Sequence, residues 1–389
     1  MALGKKFPAR IALIFVSISA TVAIVEIGAR LAAFFKTELL THGFTSERPV
    51  DPSTLNAYQM ADPRHPSNWV LRPGYTQTLQ EAIEAKEKTG RMLAVAYLKD
   101  RAAKLNINLT DTIIRINQVG FKGPELDKNH SRLRILNLGE STTFGTLFDK
   151  YSYPRTLERE LRNRGIDAEV INAGVENYTA GNILMRIDEF KALRPEISTI
   201  YIGWNNLFGP EPQVGLSKYS FTCRLIRRIN GKLSRPTRTA MEEYNKPKHV
   251  DANAPQVNEL SGFVPPFIGD VEEIVRQMQS MNSRVIIVTL PSLFTMNEDP
   301  SEEALKKGQL PSFTDNPYVL AKLIERYNAA LRELANRDGL QIIDLERWSK
   351  DALVPRNSYF YDSMHLYEEG QEKIGIYMAD EITNVIRRK

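Results

Sequence analysis

Cysteine is nearly absent from this sequence, with Cys223 the only one among 389 residues. A single thiol can form neither an internal disulfide nor a cysteine-based zinc site, and we interpret Cys223 as an ordinary buried or half-buried thiol. Charge of one sign is lacking too, because 51 basic side chains are matched by 47 acidic ones, which leaves a net charge of +4. That excess is too small to indicate a nucleic-acid partner.

The composition is that of an ordinary globular protein. Hydrophobic residues make up 42% of the chain and charged residues 25%, which is far from the signature of disorder. The length suits one sizeable domain with insertions, or two modest domains. No internal repeat or low-complexity tract is visible in the sequence.

A long apolar run stands near the N-terminus, over residues 11–25, and continues more weakly to residue 35. Basic residues precede it, and they are Lys5, Lys6 and Arg10. This order is typical of a signal sequence or a signal anchor. No sharp cleavage site follows, so we expect residues 1–35 to be a cytoplasmic basic flank and a transmembrane anchor. The alternatives are a cleaved signal peptide and a buried soluble helix.

The anchor hypothesis has two consequences. The fully apolar part is shorter than the roughly 20 residues that span a bilayer, so Glu26 and Arg30 have to be accommodated. They stand four residues apart and can pair on one face of a helix. Because the basic flank precedes the apolar run, the rest of the chain is expected outside the cytoplasm, in a periplasmic or extracellular location.

The remaining chain divides into two parts that differ in sequence pattern. Residues 36–130 are polar, with one helix expected over about 80–105, and we interpret them as a stalk or an accessory layer. From residue 131 onward, short apolar runs alternate with helical patterns, which predicts βαβ units and a mostly parallel central sheet. Strands are predicted over 132–138, 169–172, 199–203, 284–290 and 340–345, and helices over 153–164, 179–193, 318–336 and 368–387. An insertion at about 208–267 interrupts this alternation.

Polar residues of catalytic types follow four of the predicted strands. Open parallel sheets bind ligands just beyond the carboxyl ends of their strands. Ser141 follows the first strand at a strand-to-helix turn, where a hydroxyl is exposed near helix N-terminal amides. Gly174 follows the second strand and permits close approach to its amide, and Asn205 after the third supplies an amide donor. Asp362 and His365 follow the fifth strand, three residues apart.

In their order along the chain, these motifs resemble those of the SGNH (GDSL-type) hydrolases. Ser141, Gly174, Asn205 and His365 would occupy the four defining positions. Each motif alone is common by chance, but four in the right order, each after a predicted strand, are specific. The resemblance covers about residue 131 to the C-terminus and implies a three-layer α/β/α sandwich of the flavodoxin-like type. Residues 115–125 (RINQVGFKGPE) also resemble the lead-in segment of bacterial membrane-anchored members.

The resemblance implies a serine ester hydrolase that works through an acyl-enzyme. Ser141 would attack the ester carbonyl and His365 would take its proton, while Asp362 would fix the imidazole tautomer. The backbone N–H groups of Ser141 and Gly174 and the side-chain amide of Asn205 would form the oxyanion hole. No cofactor is expected. A metal is not expected either, since the other histidines show no ligand spacing relative to Asp362 and His365.

Two positions depart from the family pattern. Glu140 and Asn206 stand where aspartate is usual, and both could change how the nucleophile and oxyanion loops are braced. Neither is one of the proton-transfer groups, so these changes bear on rate and substrate choice and not on reaction type. An α/β-hydrolase is disfavoured, because Thr143 occupies the position of the second glycine in its nucleophile motif.

The substrate stays open at this point. We expect deacylation, for example deacetylation, of a cell-envelope carbohydrate, from the location and from the family. A lipid or lysophospholipid esterase and an O-acyltransferase are alternatives, as is an inactive binding protein. Residues 216–233 mix basic and apolar side chains, which fits either a solvated surface helix or a lid at the membrane surface.

Overall fold

The structure is a computed structural model that describes residues 21, 23–28, 50–65, 67–209 and 245–388. Residues 49–210 and 244–389 form one compact unit; of the rest, the described residues 23–28 are helical. Within the described ranges, no helix is both long and apolar enough to cross a membrane. Most of the predicted anchor and the whole stretch 216–233 lie outside the described residues, so both remain predictions.

Residues 50–130 form a layer of two small antiparallel sheets and two helices. Strand β1 (Gln59–Ala61) pairs with β2 (Trp69–Leu71), and β3 (Thr76–Thr78) pairs with β4 (Thr112–Arg115). Helices α1 (Leu79–Lys88) and α2 (Met92–Lys104) come between β3 and β4 in the chain.

The single helix predicted over 80–105 is wrong. Gly90 has φ +68° and ends α1 with two hydrogen bonds, from Gly90 N–H to Glu87 O at 3.0 Å and from Arg91 N–H to Lys86 O at 2.9 Å. This left-handed glycine cap turns the chain before α2 begins. The helix predicted over 179–193 is likewise two helices that meet at Arg186.

Five parallel strands form the central sheet. They are β5 (Leu133–Gly139), β6 (Ala168–Gly174), β7 (Ile197–Tyr201), β8 (Arg284–Val288) and β9 (Gln341–Ile343), in the order β6-β5-β7-β8-β9. This is the flavodoxin-like order, whose switch point lies between β5 and β7. The prediction of an α/β fold with a parallel sheet is confirmed, and the predicted strand ends differ from the observed ones by at most two residues.

Helices cover both faces of this sheet. The helices that follow β5 in the chain are α3 (Ser141–Phe144), α4 (Tyr153–Asn163), α5 (Ala180–Met185), α6 (Ile187–Ala192), α7 (Trp204–Leu207), α8 (Pro255–Glu259), α9 (Ile268–Gln279), α10 (Glu302–Lys307), α11 (Pro317–Asp338), α12 (Leu345–Ala352), α13 (Arg356–Tyr359) and α14 (Glu368–Arg387). Helix α4 packs against α14, whereas α9 packs against α5, α6 and α11. The crossover from β5 to β6 runs in one direction across the sheet, and the crossovers from β6 to β7, β8 and β9 run in the other. Right-handed crossovers of opposite direction lie on opposite faces, so these two groups form the outer layers.

Part of the predicted insertion is described, from residue 245 onward. Asn245 forms a single antiparallel bridge with Leu310, and α8 with the turn at 260–262 packs on α11.

The strands of the sheet are buried on both faces almost throughout, as expected for a parallel sheet between helices. The polar residues that follow their carboxyl ends are therefore brought to one edge.

Candidate active site

Ser141 lies at a sharp turn directly beyond β5. A Cβ added to Gly139 would come within 1.9 Å of Thr143 Oγ1 and 2.6 Å of Tyr201 O, so a side chain there would clash with the turn. Helix α3 begins at Ser141, and its first bonds run from the N–H groups of Thr143 and Phe144 to Glu140 O, at 3.0 and 2.8 Å. The hydroxyl of Ser141 thus stands at the carboxyl edge of the sheet.

Ser141, His365 and Asp362 form one continuous hydrogen-bonded set. Nε2 of His365 lies 2.7 Å from Oγ of Ser141, and Nδ1 of His365 lies 2.7 Å from Oδ2 of Asp362. Oδ1 of Asp362 accepts the backbone N–H groups of Met364 at 2.9 Å and of His365 at 2.8 Å. Because Asp362 is ionised, Nδ1 carries the imidazole proton and Nε2 is free to accept one from Ser141.

Burial and charge act in opposite directions on this pair. Burial lowers the pKa of His365, but the Asp362 carboxylate and its hydrogen bond raise it, and the net pKa lies above the ordinary 6.5. For Asp362, burial raises the pKa, while the charge of His365 and the N–H donors lower it to a net value below 3.8. His365 is therefore a base suited to accept a proton near neutral pH.

The imidazole is also held by aromatic stacking. The Tyr361 ring lies parallel to the His365 ring, at 9° with a centroid distance of 5.4 Å. Tyr97 of α2 contacts Tyr361 with centroids 5.7 Å apart. The layer formed by residues 50–130, the N-terminal layer, therefore contacts the Tyr361 ring that stacks on His365.

Glu140, directly before Ser141, holds the loop after β7. Its carboxylate accepts the backbone N–H groups of Gly203 at 2.9 Å, Trp204 at 2.6 Å and Asn205 at 2.8 Å, and it also accepts from Nδ2 of Asn205. The side chain is fully buried, and burial raises the pKa of Glu140 to about 7 against the lowering effect of these N–H groups. We call residues 139–144, which carry Ser141, the nucleophile turn. The Glu140 side chain therefore connects the nucleophile turn to residues 203–205, which follow β7.

The three predicted oxyanion donors differ in how far the protein already uses them. Among the residues that the structure describes, the backbone N–H of Ser141 has no hydrogen-bond acceptor. Nδ2 of Asn205 donates to Glu140 and, at 2.8 Å, to Tyr178 O. The N–H of Gly174 donates to Asn172 Oδ1 at 3.0 Å. The oxyanion roles of Asn205 and Gly174 stay predictions. The hydrogen bond to Asn172 disfavours this role for the N–H of Gly174.

Gly174 has a clear packing role instead. A Cβ added there would lie 2.1 Å from the backbone nitrogen of Phe144 and 2.5 Å from the carbonyl carbon of Thr143. Helix α3 therefore rests directly on the backbone at the end of β6, and a larger residue at this position would displace it.

Asn177, three residues further on, was missed in the sequence. It is exposed and left-handed, with φ +65°, and its N–H has no acceptor in the described part of the chain. It stands in a turn closed by the N–H of Tyr178 to Val175 O at 3.3 Å. An asparagine just after a strand was the available signal, because Asn tolerates the left-handed region. Its N–H is an additional candidate donor.

The N-terminal layer also braces the loop after β6. The hydroxyl of Tyr58 donates to Glu176 Oε2 at 2.5 Å, and Nδ2 of Asn56 donates to the same oxygen at 2.7 Å. Nε1 of Trp69 donates to Glu176 O at 3.1 Å. The Tyr58 ring stacks on Phe144 of α3, with centroids 5.4 Å apart. Residues 50–70 thus form part of the surroundings of Ser141.

A metal centre is not seen in the described ranges, where no group of three or more His, Cys, Asp or Glu side chains is placed to hold an ion. The sheet is open, parallel and flavodoxin-like, and its carboxyl edge carries the Ser-His-Asp arrangement found in serine hydrolases. Residues 138–373, more than half of the chain, match the family model of the GDSL-like lipase/acylhydrolase family. The chain belongs to this family and is an ester-hydrolysing enzyme.

Several solved structures are similar at low identity. The lipase/acylhydrolase from Enterococcus faecalis is 18% identical over 64% of this chain and 95% of its own, with a TM-score of 0.38. The psychrotrophic esterase EstA from Pseudoalteromonas sp. is 14% identical over 66% and 99%, with a TM-score of 0.36. The acetyl xylan esterase AlAXEase is 16% identical over 65% and 99%, with a TM-score of 0.40. No curated protein matches the chain in sequence. Because these TM-scores are below 0.5, the family assignment rests on the family model.

Proposed function

We propose that the protein cleaves an ester through an acyl-enzyme on Ser141. The observation that carries this proposal is the 2.7 Å contact from Ser141 Oγ to His365 Nε2, together with the 2.7 Å contact from His365 Nδ1 to Asp362. As Oγ bonds to the carbonyl carbon, His365 takes the hydroxyl proton and the carbonyl electrons move to oxygen.

The remaining steps release the alcohol, which completes acylation, and then hydrolyse the acyl-enzyme. Collapse of the tetrahedral intermediate breaks the bond to the alcohol, which leaves with the proton from His365. A water molecule then loses a proton to His365 and attacks the acyl group, and the acid departs as Ser141 regains its proton. Asp362 stays ionised throughout and stabilises the imidazolium.

The oxyanion needs donors that become effective in the transition state. The N–H of Ser141 supports this role, since it has no acceptor among the described residues. Asn205 would contribute its side-chain amide by sharing a hydrogen now directed at Glu140 or Tyr178. The N–H of Asn177 is the alternative to that of Gly174 on the loop after β6.

For the substrate, we propose a small acyl ester, such as an acetyl ester, on a cell-envelope carbohydrate. The support is the family's ester chemistry and the basic flank before the apolar run, which favours an anchored protein with its catalytic part outside the cytoplasm. A lipid or lysophospholipid ester is the second candidate, favoured by the basic and apolar stretch 216–233. An O-acyltransferase would use the same residues and pass the acyl group to a sugar hydroxyl.

Turnover of short-chain p-nitrophenyl esters tests the ester chemistry. Ser141→Ala should abolish cleavage without unfolding the protein, because Ser141 supplies the nucleophile and not core volume. Ser280→Ala, at an exposed serine after α9, is the matched control and should behave as wild type. If Ser141→Ala kept about a tenth of wild-type turnover, the proposal would be wrong. Adding a carbohydrate acceptor separates transferase from hydrolase, since only a transferase forms an acylated sugar.

A further inference from the structure

Lys122 is buried beside the nucleophile turn. It is 2% exposed and lies in the segment before β5, where it forms a single antiparallel bridge with Asn172 of the edge strand β6. Its Nζ donates to Phe144 O at 3.0 Å and to Thr146 O at 2.5 Å. Nζ also lies 4.0 Å from the centroid of the Phe144 ring.

The hydrogen bond to Phe144 O caps the C-terminal end of α3. A helix leaves its last carbonyl groups without intrahelical partners, and that end carries partial negative charge. In the four-residue α3, Ser141 is the first residue and Phe144 the last. The ammonium group therefore holds the far end of the turn that presents the Ser141 hydroxyl.

Two carboxylates face Lys122. They are Asp149, in the turn after α3, and Glu176, in the loop after β6, and both raise the pKa of Lys122. Burial lowers it by more, from 10.5 to about 8. Burial raises the pKa of Asp149, and the charges of Lys122, Arg115 and Arg155 offset this only in part, so the net pKa lies above 3.8.

The contacts of Nζ distinguish the charged from the neutral amine. The ammonium has three N–H donors, and here two carbonyl oxygens and the negative face of an aromatic ring surround it. In the neutral amine one N–H is replaced by a lone pair. That lone pair would face a carbonyl oxygen or the ring face, so an attraction at the end of α3 becomes a repulsion.

We propose that Lys122 is a positioning residue that holds the nucleophile turn in its ammonium form and so makes turnover depend on its charge. This rests on the proposed role of Ser141. The sign follows from the chemistry: His365 is neutral and competent at alkaline pH, so a loss of activity there has to come from another group. Turnover should fall as pH rises through the titration of Lys122.

The test compares kcat and KM for a short p-nitrophenyl ester between about pH 6 and 10, after subtraction of spontaneous hydrolysis. Lys122→Met should lower kcat about 10- to 100-fold with KM nearly unchanged, since a shift of about 1 Å at a reacting group can cost about 10²-fold. Lys122→Arg keeps the charge at all these pH values and should lose the alkaline fall. Lys128→Met, at an exposed lysine of the same segment, should match wild type.

Arginine adds volume to a buried position, so a second measurement uses the wild-type protein. With lysine labelled by 13C at Cε, one resonance should titrate near pH 8 instead of about 10.4, and its midpoint should coincide with the alkaline fall in kcat.

Midpoints more than about one unit apart overturn the proposal, as does wild-type kcat in Lys122→Met or an unchanged alkaline fall in Lys122→Arg. The two proposals fail separately. Activity that survives Ser141→Ala overturns the acyl-enzyme, whereas Ser141-dependent activity with an unchanged alkaline fall in Lys122→Arg overturns only the role of Lys122.

Discussion

Asn205 and Asn206 are adjacent residues of the short helix α7, which follows β7, but they have different partners. Both N–H directions of the Asn205 amide are used, by Glu140 and by Tyr178 O. Asn206 instead accepts the N–H of Ala180 at 3.2 Å through Oδ1. The two side chains therefore provide a matched pair for testing which amide serves the transition state.

Asn205→Ala should lower kcat about 10²–10³-fold, or roughly 2.7–4 kcal/mol, with little change in KM. Its amide would act on charge that develops only in the transition state. Asn206→Ala should cost less. Thermal unfolding of both variants controls for the lost contacts with Glu140 and Tyr178. A larger loss of kcat in Asn206→Ala would place the oxyanion donor one residue further along the chain.

We expect the protonation of His365 to determine how kcat/KM falls on the acid side of its pH profile. Because its pKa is raised above 6.5 and only the neutral imidazole accepts a proton, activity is present above this pKa and is lost as pH falls through it. Protonation of Glu140, with a pKa of about 7, acts in the same direction. We therefore expect kcat/KM to fall with a midpoint above 6.5. A midpoint below 6.5 would contradict this electrostatic description.

Helix α2 joins the N-terminal layer to α14, close behind the His365 loop. Nε of Arg101 lies 2.7 Å from Glu368 Oε2, and Nη2 lies 2.7 Å from Glu369 Oε2. The side chains of Arg101 and Glu368 are 6% and 1% exposed. This pair is therefore shielded from solvent, and it links α2 to the first turn of α14.

Arg101→Met should lower the free energy of unfolding by about 3–5 kcal/mol, because it leaves the Glu368 carboxylate buried without its partner. The double variant Arg101→Met/Glu368→Gln should recover part of this loss, since no charge is then left buried. Denaturant unfolding measures both. Equal stability of Arg101→Met and wild type would show that the pair contributes nothing.

The strands of the central sheet could be predicted because buried parallel strands are continuous apolar runs, such as 285–288. Strands β1 to β4 could not, since each has three or four residues of mixed burial. Ser141, Asp362 and His365 could be placed by motif and strand order. The partner of the Gly174 N–H could not, because it is an asparagine side chain two residues away, and local bonds of this kind leave no periodic pattern.

In the molecule as a whole, the residues around Ser141 come from both ends of the described unit. Lys122, Tyr58 and Tyr97 belong to the N-terminal layer and contact the nucleophile turn, the loop after β6 and the His365 loop respectively. The layer therefore contributes to the site, although the family model begins at residue 138.

The topology prediction concerns the full chain. Residues after about 35 should lie outside the cytoplasm, because the basic flank precedes the apolar run. A C-terminal fusion to a reporter that is active only outside the cytoplasm should give activity, and a fusion to a cytoplasm-only reporter should give none. The reverse pair of results would contradict the anchor hypothesis.

Covalent labelling identifies the residue that carries the acyl group, which we expect to be Ser141. A fluorophosphonate probe reacts with an activated serine, and tryptic digestion should release residues 135–150, in which Ser141 is the only serine. Mass spectrometry should find the adduct on this peptide at Ser141, and none in Ser141→Ala. An adduct on a different serine, with Ser141 unmodified in active protein, would show that Ser141 does not carry the acyl group.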